Sequence, residues 1–374
     1  MQILILNWRD INHPLAGGAE ISLFEHAKYW SRRGGKVIWF ASSFNRAKTR
    51  ENIDGITIIR KGSHHTVHLW AFLYFVLHKF GKFDLVIDSF HFIPFFTPLY
   101  IRRKKIIALI NEPAKNTWFK NISFPFSLIG FIMEPLFFAS YKKTQFITGS
   151  ESISKELQKD YGLLDKNIHV IHHGVTIRKS IGRVKKEKDP TVIYVSMISA
   201  DKGMEDAIKA IALASRKTRP LHFWIVGKAQ DEQYLKRIKK MAQKLGIKKS
   251  STFFGYVSEE KKFDLLSRAW ILIHPSIREG WGLNVIEANM YGTPAVGYNV
   301  SGLKDSIKHR QTGLLTKQNT PEELAKAITS LIKNKNLLSH LSKNAILWSK
   351  KFAWKISGEK SWELIERVSY RYNL

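Results

Sequence analysis

The chain begins Met1-Gln2-Ile3-Leu4-Ile5-Leu6-Asn7, an apolar run with no basic segment before it, and continues through a long loop to Gly17-Gly18. Without a basic segment the run does not fit a secretory signal, so it predicts a buried first strand. Beyond the glycines, apolar residues recur at the spacing of one helix face until Gly34-Gly35 ends the pattern; they are Ile21, Phe24, Ala27 and Trp30. This order of strand, loop and helix predicts the start of a parallel α/β sheet.

Short apolar runs alternate with helical patterns along the rest of the chain, as expected for strands joined by crossover helices. Counting the first run, the predicted strands are 2–7, 36–41, 83–88, 104–110, 145–149 and 168–171, followed by 191–196, 221–226, 251–254, 270–274, 294–297 and 312–315. The two series predict two doubly wound α/β domains.

A basic stretch separates the two series. Residues 178–189 are rich in Lys and Arg and almost free of apolar side chains, which predicts an interdomain linker. We therefore expect an N-terminal domain over residues 1–177 and a C-terminal domain over residues 190–354.

The composition is that of a globular protein with a strong positive charge. The 374 residues include 60 Lys and Arg against 31 Asp and Glu, a formal net charge of +29, and no Cys. The lack of Cys excludes disulfides, a thiolate nucleophile and Cys-ligated zinc. The charge favours phosphates, anionic lipid or nucleic acid. It is spread over both halves and accompanies no recognisable nucleic-acid module, so we expect no nucleic-acid partner, although a nucleic-acid-binding protein remains an alternative.

Two glutamates stand eight positions apart in a glycine-rich stretch after the predicted strand 270–274. Glu279 is predicted to lie in the loop and Glu287 about one turn into the following helix. At the start of that helix, the backbone N–H groups of Gly280, Gly282 and Leu283 suit a diphosphate. The carboxylates suit the hydroxyl groups of a sugar and of a ribose.

With these residues the sequence resembles the retaining glycosyltransferases of family 4, which have the GT-B fold and the signature E-x7-E. The resemblance implies two Rossmann-like domains that face each other across a cleft, and a C-terminal helix (355–374) that packs back on the N-terminal domain. It covers nearly the whole chain, through Trp8-Arg9-Asp10, Gly17-Gly18-Ala19-Glu20, Ile87-Asp88, 93–100, Lys202-Gly203, 254–256, 292–294, 302–303 and 312–315.

The resemblance also implies roles for individual residues. Glu279 would contact the donor sugar, Glu287 the ribose and Lys202 the diphosphate. Tyr256 would lie near the nucleobase. The donor-binding set would be completed by Gly17 and Gly18 from the facing domain and by Arg278, Gly280, Gly282 and Leu283.

Two positions depart from the family pattern. Met197 stands where the family usually has an arginine on the diphosphate. Asn111 stands where the family tends to have a histidine near the donor sugar, and an amide can hydrogen-bond but cannot carry a proton at neutral pH. Arg278 and His91 are candidates to compensate. The candidate catalytic residues are therefore Glu279, Asn111 and His91, and a weak or inactive relative acting as a partner subunit remains an alternative.

The implied activity is transfer of a hexose from a nucleoside diphosphate sugar to a hydroxyl acceptor, in cell-surface polysaccharide or glycolipid assembly. The resemblance implies catalysis without a metal, and the absence of any Asp-x-Asp from the sequence agrees with it. We therefore expect neither a metal site nor a cofactor. A nucleotide-sugar epimerase of related fold is a further alternative, disfavoured by the combination of the Gly-Gly-Ala-Glu and E-x7-E motifs.

One apolar segment predicts a membrane partner. Residues 122–141 are rich in Phe, Ile and Leu, with Lys120, Lys142 and Lys143 at their edges. Pro125, Glu134 and Pro135 argue against a transmembrane helix. Apolar side chains with a basic rim suit the headgroup zone of an anionic membrane. We expect a protein that is peripheral on the cytoplasmic face, with an acceptor carried on a lipid; the alternative is that these aromatics form the core of the first domain.

Overall fold

The computed structural model describes residues 1–176 and 185–370. The chain forms two compact units: one contains Met1–Gly174 and the segment that begins at Trp354, and the other contains Val175–Ala353. Each unit has a sheet of mainly parallel strands with helices packed on it. The predicted α/β class with two doubly wound domains is confirmed.

The strands of the first unit are β1 (Gln2–Leu6), β2 (Lys36–Ala41), β3 (Arg50–Ile53), β4 (Ile56–Arg60), β5 (Leu85–Phe90), β6 (Ile106–Ile110), β7 (Gln145–Thr148) and β8 (Ile168–Val170). Within the described residues they form one sheet in the order β3-β4-β2-β1-β5-β6-β7-β8. The chain moves outward from β1 in both directions, so the carboxyl ends of β1 and β5 flank a topological switch point, where such sheets bind ligands.

The sequence pattern did not predict the hairpin of β3 and β4, which is antiparallel. Its turn is Asp54-Gly55, with φ of +50° and +84°. Asp-Gly favours this turn because both residues must adopt positive φ. The hairpin adds an edge to the sheet away from the switch point.

Over residues 185–353 the strands are β9 (Thr191–Val195), β10 (His222–Val226), β11 (Ser251–Gly255), β12 (Ile271–His274), β13 (Ala295–Gly297) and β14 (Gly313–Leu315). They form a second sheet, parallel throughout the described residues, in the order β11-β10-β9-β12-β13-β14. All six were predicted from the sequence, with ends within one residue. Here the switch point lies between β9 and β12.

The helices of the described residues are α1 (Gly18–Arg32), α2 (Val67–Val76), α3 (Trp118–Asn121), α4 (Phe126–Tyr141), α5 (Glu151–Tyr161), α6 (Met204–Ser215), α7 (Glu232–Lys244), α8 (Glu259–Arg268), α9 (Leu283–Met290), α10 (Leu303–Ser306), α11 (Pro321–Lys333), α12 (Lys335–Ser349) and α13 (Trp354–Tyr370). None of the helices in these residues has the length and hydrophobicity that crossing a bilayer requires.

Helices cover both faces of the first sheet. Ile3 and Ile5 of β1 share a buried cluster with α1 and α13, whereas Leu4 and Leu6 share another with α2, α4 and α5. Successive residues of a strand point to opposite faces, so α1 and α13 cover one face and α2, α4 and α5 the other. The predicted inward face of α1 is wrong at Ile21, which is 38% exposed.

The C-terminal helix α13 completes the core of the first unit. Trp30 Nε1 of α1 donates to Ser361 Oγ of α13 at 2.8 Å, and Trp362 is buried beside it. A Cβ on Gly358 would lie 2.4 Å from the Tyr29 ring, so this position needs glycine for the two helices to pack closely.

Most of the predicted basic linker, residues 178–184, lies outside the described residues. Residues 185–189 are described and belong to the second unit, in which Lys186 and Glu187 contact the helices. Lys186 Nζ donates to Ala269 O at 2.8 Å and to Tyr291 O at 3.2 Å, which are carbonyls at the ends of α8 and α9. Burial lowers the pKa of Lys186 to about 7. Glu187 pairs with Arg268 of α8.

Candidate functional site

The loops after β9 and β12 meet at the switch point of the second sheet. Ile277 N donates to Asp201 O at 3.1 Å, which joins the two loops through their backbones. Gly203 has φ of +69°, and a Cβ there would lie 2.0 Å from Pro275 O. Only glycine permits this approach. The contact fixes the positions of the residues that the two loops carry.

Two predicted site residues meet across these loops. Lys202 Nζ lies 3.1 Å from Glu279 Oε2, and each side chain is 20% exposed. His274, at the end of β12, was not predicted to belong to the site, and its Nε2 lies 3.9 Å from the same oxygen. Burial lowers the pKa of His274 to about 4, so its imidazole is neutral at pH 7. The cluster therefore presents an ammonium, a carboxylate and a neutral imidazole.

The second glutamate lies on α9 and is buried. Lys262 Nζ of α8 donates to Glu287 Oε1 at 2.9 Å. Glu287 Oε2 is buried and has no hydrogen-bond partner among the described residues. Burial raises the pKa of this carboxyl group, and the Lys262 ammonium acts against that rise. A buried acceptor of this kind costs free energy unless a ligand satisfies it, which suits a hydroxyl donor.

Glycines shape the N-terminus of α9. Gly282, the N-cap, has φ of +84°, a left-handed conformation that glycine adopts without strain. A Cβ on Gly302 would lie 2.1 Å from Glu279 O, so the loop before α9 rests on the start of α10. Gly280 is buried and Leu283 is partly buried. The backbone N–H groups of this first turn suit an anion.

Three further predicted positions lie around this switch point. Tyr256 follows β11, two strands from β9, and is 76% exposed, with Lys228 Nζ 5.6 Å from its ring centre. Arg278 is partly buried beside Glu279 in the chain. Met197, in the loop after β9, is 43% exposed and is not a core residue.

In the first unit, the predicted glycines start α1. Gly17 N donates to Glu20 Oε2 at 2.8 Å, and Arg9 Nε donates to Glu20 Oε1 at 3.1 Å. The Gly17 N–H group is thus engaged by the protein. A Cβ on Gly18 would meet no atom of the described residues within 4 Å, which leaves room at this helix start.

The switch point of the first sheet carries His91. Its Nε2 lies 3.4 Å from Arg9 Nη2, and its ring centre lies 5.4 Å from that of Trp8. The Arg9 guanidinium stacks 4.2 Å from the Trp8 ring. Trp8 Nε1 is buried without a hydrogen-bond partner in the described residues. An aromatic ring with a cationic rim therefore follows β1.

The structure adds a histidine next to Asn111. His173 Nε2 lies 3.0 Å from Asn111 Oδ1, and His173 Nδ1 lies 2.6 Å from Ser22 Oγ. An amide oxygen only accepts, so Nε2 carries the proton and, in the neutral ring, Nδ1 accepts from the Ser22 hydroxyl. His173 was not predicted from the sequence, although the pair His172-His173 directly follows a predicted strand and could have indicated it.

The predicted site residues thus fall into local groups. Lys202 and Glu279 are in contact, and Glu287 shares α9 with Leu283. His91 and Asn111 belong to separate clusters of the first unit. No group of three or more potential ligands for a metal ion is found within residues 1–176 and 185–370.

Comparison with known proteins places these features in a family. A model of glycosyl transferases group 1 matches residues 177–348, and one of glycosyltransferase family 4 matches residues 16–179. An uncharacterized glycosyltransferase of Methanocaldococcus jannaschii is 28% identical over 322 residues, 81% of this chain and 79% of that protein.

Solved structures share the fold. The Anabaena protein HepE in complex with UDP-glucose has a TM-score of 0.75 at 18% identity, over 98% of this chain and all of that one. WaaG, a glycosyltransferase involved in lipopolysaccharide biosynthesis, has a TM-score of 0.74 at 16% identity, over 97% of this chain and 99% of that one. The two family models match adjoining parts of the chain, and the solved structures have the same two-domain fold. The chain therefore belongs to the group 1 glycosyltransferases of the GT-B fold.

Proposed function

We propose that the protein is a retaining glycosyltransferase that transfers a hexose from a nucleoside diphosphate sugar to a hydroxyl acceptor. The observation that carries the proposal is the buried Glu287 Oε2, which lacks a partner in the described residues and lies on the helix whose glycine-rich start suits a diphosphate. A ribose hydroxyl would satisfy this oxygen. The UDP-glucose bound by the structurally similar HepE supports a nucleotide-sugar donor.

In this proposal the second unit binds the donor. Lys202 and the α9 N-terminus supply positive charge to the leaving diphosphate, where negative charge accumulates as the glycosidic bond breaks. Glu279, held near Lys202 and His274, accepts hydrogen bonds from the sugar hydroxyls. Tyr256 and Lys228 offer an exposed ring and a cation for the base. Because Lys202 and the α9 N-terminus supply the positive charge at the diphosphate, we propose that the enzyme needs neither a metal nor a cofactor.

The transfer takes place on one face of the sugar. The bond from C1 to the diphosphate oxygen breaks, and the acceptor oxygen bonds to C1 from the same side, so the configuration is retained. The acceptor proton passes to the departing diphosphate oxygen. His173 supplies an imidazole beside Asn111. Asn111 itself stands at the position where the family that the sequence resembles tends to have a histidine.

We further propose that the acceptor is carried on a lipid at the cytoplasmic face of a membrane, in cell-surface polysaccharide or glycolipid assembly. WaaG, which has a similar structure, is involved in lipopolysaccharide biosynthesis, and this similarity supports the proposed role.

A panel of UDP-, GDP- and ADP-sugars tests the proposal, with binding measured by calorimetry and donor hydrolysis by release of free sugar. We expect one nucleotide to bind and its sugar to be released slowly with retained configuration. Binding without release would favour an inactive partner subunit, and interconversion of nucleotide sugars would favour an epimerase. No binding by any member of the panel would overturn the proposal.

A further inference from the structure

The first unit exposes apolar side chains from three neighbouring segments. On α2 they include Leu69 and Val76, and on α4 they include Phe126 and Ile132, all at least half exposed. Leu99, in a 3-10 turn between the two helices in sequence, is 71% exposed. We call these segments together the apolar face. Isolated exposed apolar residues are ordinary, but a continuous group of this size marks an interaction site.

The three segments are adjacent in space. Both helices cover the same face of the first sheet. The Tyr100 ring, directly after Leu99, lies 5.3 Å from that of Phe72 and 5.1 Å from that of Phe75, both on α2. Phe96, on the other side of the turn, lies 5.4 Å from Phe137 of α4. The apolar face is therefore one surface.

A buried carboxylate fixes the orientation of α4. Glu134 Oε2 accepts from Trp118 Nε1 at 2.7 Å and from Lys115 N at 2.8 Å. Glu134 Oε1 accepts from Ala114 N and Tyr161 Oη, both at 2.9 Å. With Glu134 and Phe138 turned inward, the other side of α4 must face outward. The alternative, in which segment 122–141 forms the core of the first domain, is wrong for its exposed residues, which include Phe124, Phe126, Ile129, Phe131, Ile132 and Leu136.

The surroundings of the apolar face are basic. Residues 61–150 contain eleven Lys and Arg against four Asp and Glu, and two of these four, Asp88 and Glu134, are buried. Exposed cations follow or precede each segment: Lys79 and Lys82 after α2, Arg102, Arg103 and Lys105 after Leu99, and Lys120, Lys142 and Lys143 around α4. A second copy of the chain would bring two such basic rims together. Anionic headgroups would neutralise them.

We propose that the apolar face inserts into the headgroup zone of an anionic bilayer. The side chains of α2, Leu99 and α4 enter the boundary of the acyl chains, while the lysines and arginines contact lipid phosphates. Because α2 and α4 pack on the sheet by their inner sides, docking requires no rearrangement of the core. Such a surface would bring the protein to the lipid-borne acceptor of the proposed function, and membrane binding through it does not depend on which donor the protein uses.

Vesicle flotation of the full chain tests the inference. We expect binding to vesicles of equal parts phosphatidylglycerol and phosphatidylcholine, little binding to phosphatidylcholine alone, and a decrease with salt, since exposed charges are screened. The variants Leu69→Ser/Val76→Ser and Phe126→Ser/Ile132→Ser should each bind at least tenfold less. Leu347→Ser, on an exposed leucine of α12, is the control and should bind like the wild type.

Charge variants give a second measurement if an apolar variant fails to fold. Lys142→Glu/Lys143→Glu should weaken binding at low salt, and Lys248→Glu/Lys249→Glu, on an exposed pair of the second unit, should not. Thermal unfolding shows whether each variant is folded. Failure of the wild type to bind anionic vesicles at low salt would overturn the inference, whatever its donor binding. An equal loss of vesicle binding in both charge variants would also overturn it. So would a wild-type dimer that dissociates in the variant Phe126→Ser/Ile132→Ser.

Discussion

The Lys262 ammonium lies 2.9 Å from one carboxylate oxygen of Glu287, and the other oxygen is buried without a partner in the described residues. The pair therefore leaves one acceptor ready for a ligand hydroxyl. Lys262 also binds Glu259 on its own helix at 2.9 Å. Glu259 offers a matched control, because it shares the same cation but is largely exposed.

Glu287→Ala should weaken binding of the free nucleoside diphosphate at least about tenfold, the cost of a lost hydrogen bond to a charged group. Glu259→Ala should change it by less than about twofold, as an exposed ion pair contributes little. Calorimetry with the diphosphate identified in the panel measures both. Equal affinity of Glu287→Ala and the wild type would remove the ribose role.

Lys202→Ala should lower diphosphate affinity by roughly tenfold, because a cation beside the leaving group is lost. Glu279→Ala should instead lower turnover of the intact donor and leave diphosphate affinity nearly unchanged. The same titration, combined with hydrolysis rates, separates the two roles. A Lys202 variant with wild-type affinity would contradict the phosphate contact.

Met197→Arg should tighten diphosphate binding several-fold. Met197 is 43% exposed, so the longer side chain displaces no core packing, and arginine forms forked hydrogen bonds with phosphate. Met197→Gln is the uncharged control. If both variants bind like the wild type, the loop after β9 does not face the phosphates.

His173→Ala should lower kcat by about tenfold, as expected when a hydrogen bond of roughly 1.4 kcal/mol is lost. The exchanged variant Asn111→His/His173→Asn keeps an imidazole and an amide in contact and should recover much of the rate. Single-turnover kinetics measures the step. An unchanged kcat in His173→Ala would exclude the imidazole from the reaction.

Stability should fall as the pH falls from 6.5 to about 4. Burial lowers the pKa of His274 from 6.5 to about 4, so in this window the unfolded chain binds a proton that the folded chain does not. The contribution of His274 to this loss at pH 4 is on the order of 3 kcal/mol. The free energy of unfolding, measured with urea at pH 7 and at pH 5, should differ less between the two pH values in His274→Gln than in the wild type. His340→Gln, on an exposed histidine, should keep the wild-type difference.

The sequence predicted the buried parallel strands of the fold better than it predicted the β3–β4 hairpin. Apolar runs such as Thr191–Val195 are buried along their whole length, so composition alone reveals them. The hairpin strand Arg50–Ile53 has only one apolar residue, Ile53, and is defined by its turn. Ile21 was predicted to face inward, but the buried ion pair of Glu20 with Arg9 sets the first turn of α1.

The site was predictable where its residues are close in sequence. Glu279, Gly282 and Glu287 lie within one loop and helix. Lys262 and His173 reach their partners from 25 and 62 positions away, and no local pattern marks such contacts. The apolar face was predicted only at α4, because the contribution of α2 depends on the strand order that brings it alongside.

The return of α13 to the first unit has a consequence for the order in which the protein folds during translation. The second unit, Val175–Ala353, is continuous in the chain and is available in full before Trp354 is made. The first unit cannot bury Trp30 against Ser361 and Trp362 until α13 leaves the ribosome. Its nascent form therefore exposes Phe24, Ala27 and Trp30 of α1 while the second unit is synthesised, and chaperones that bind apolar segments have that whole interval to act on them.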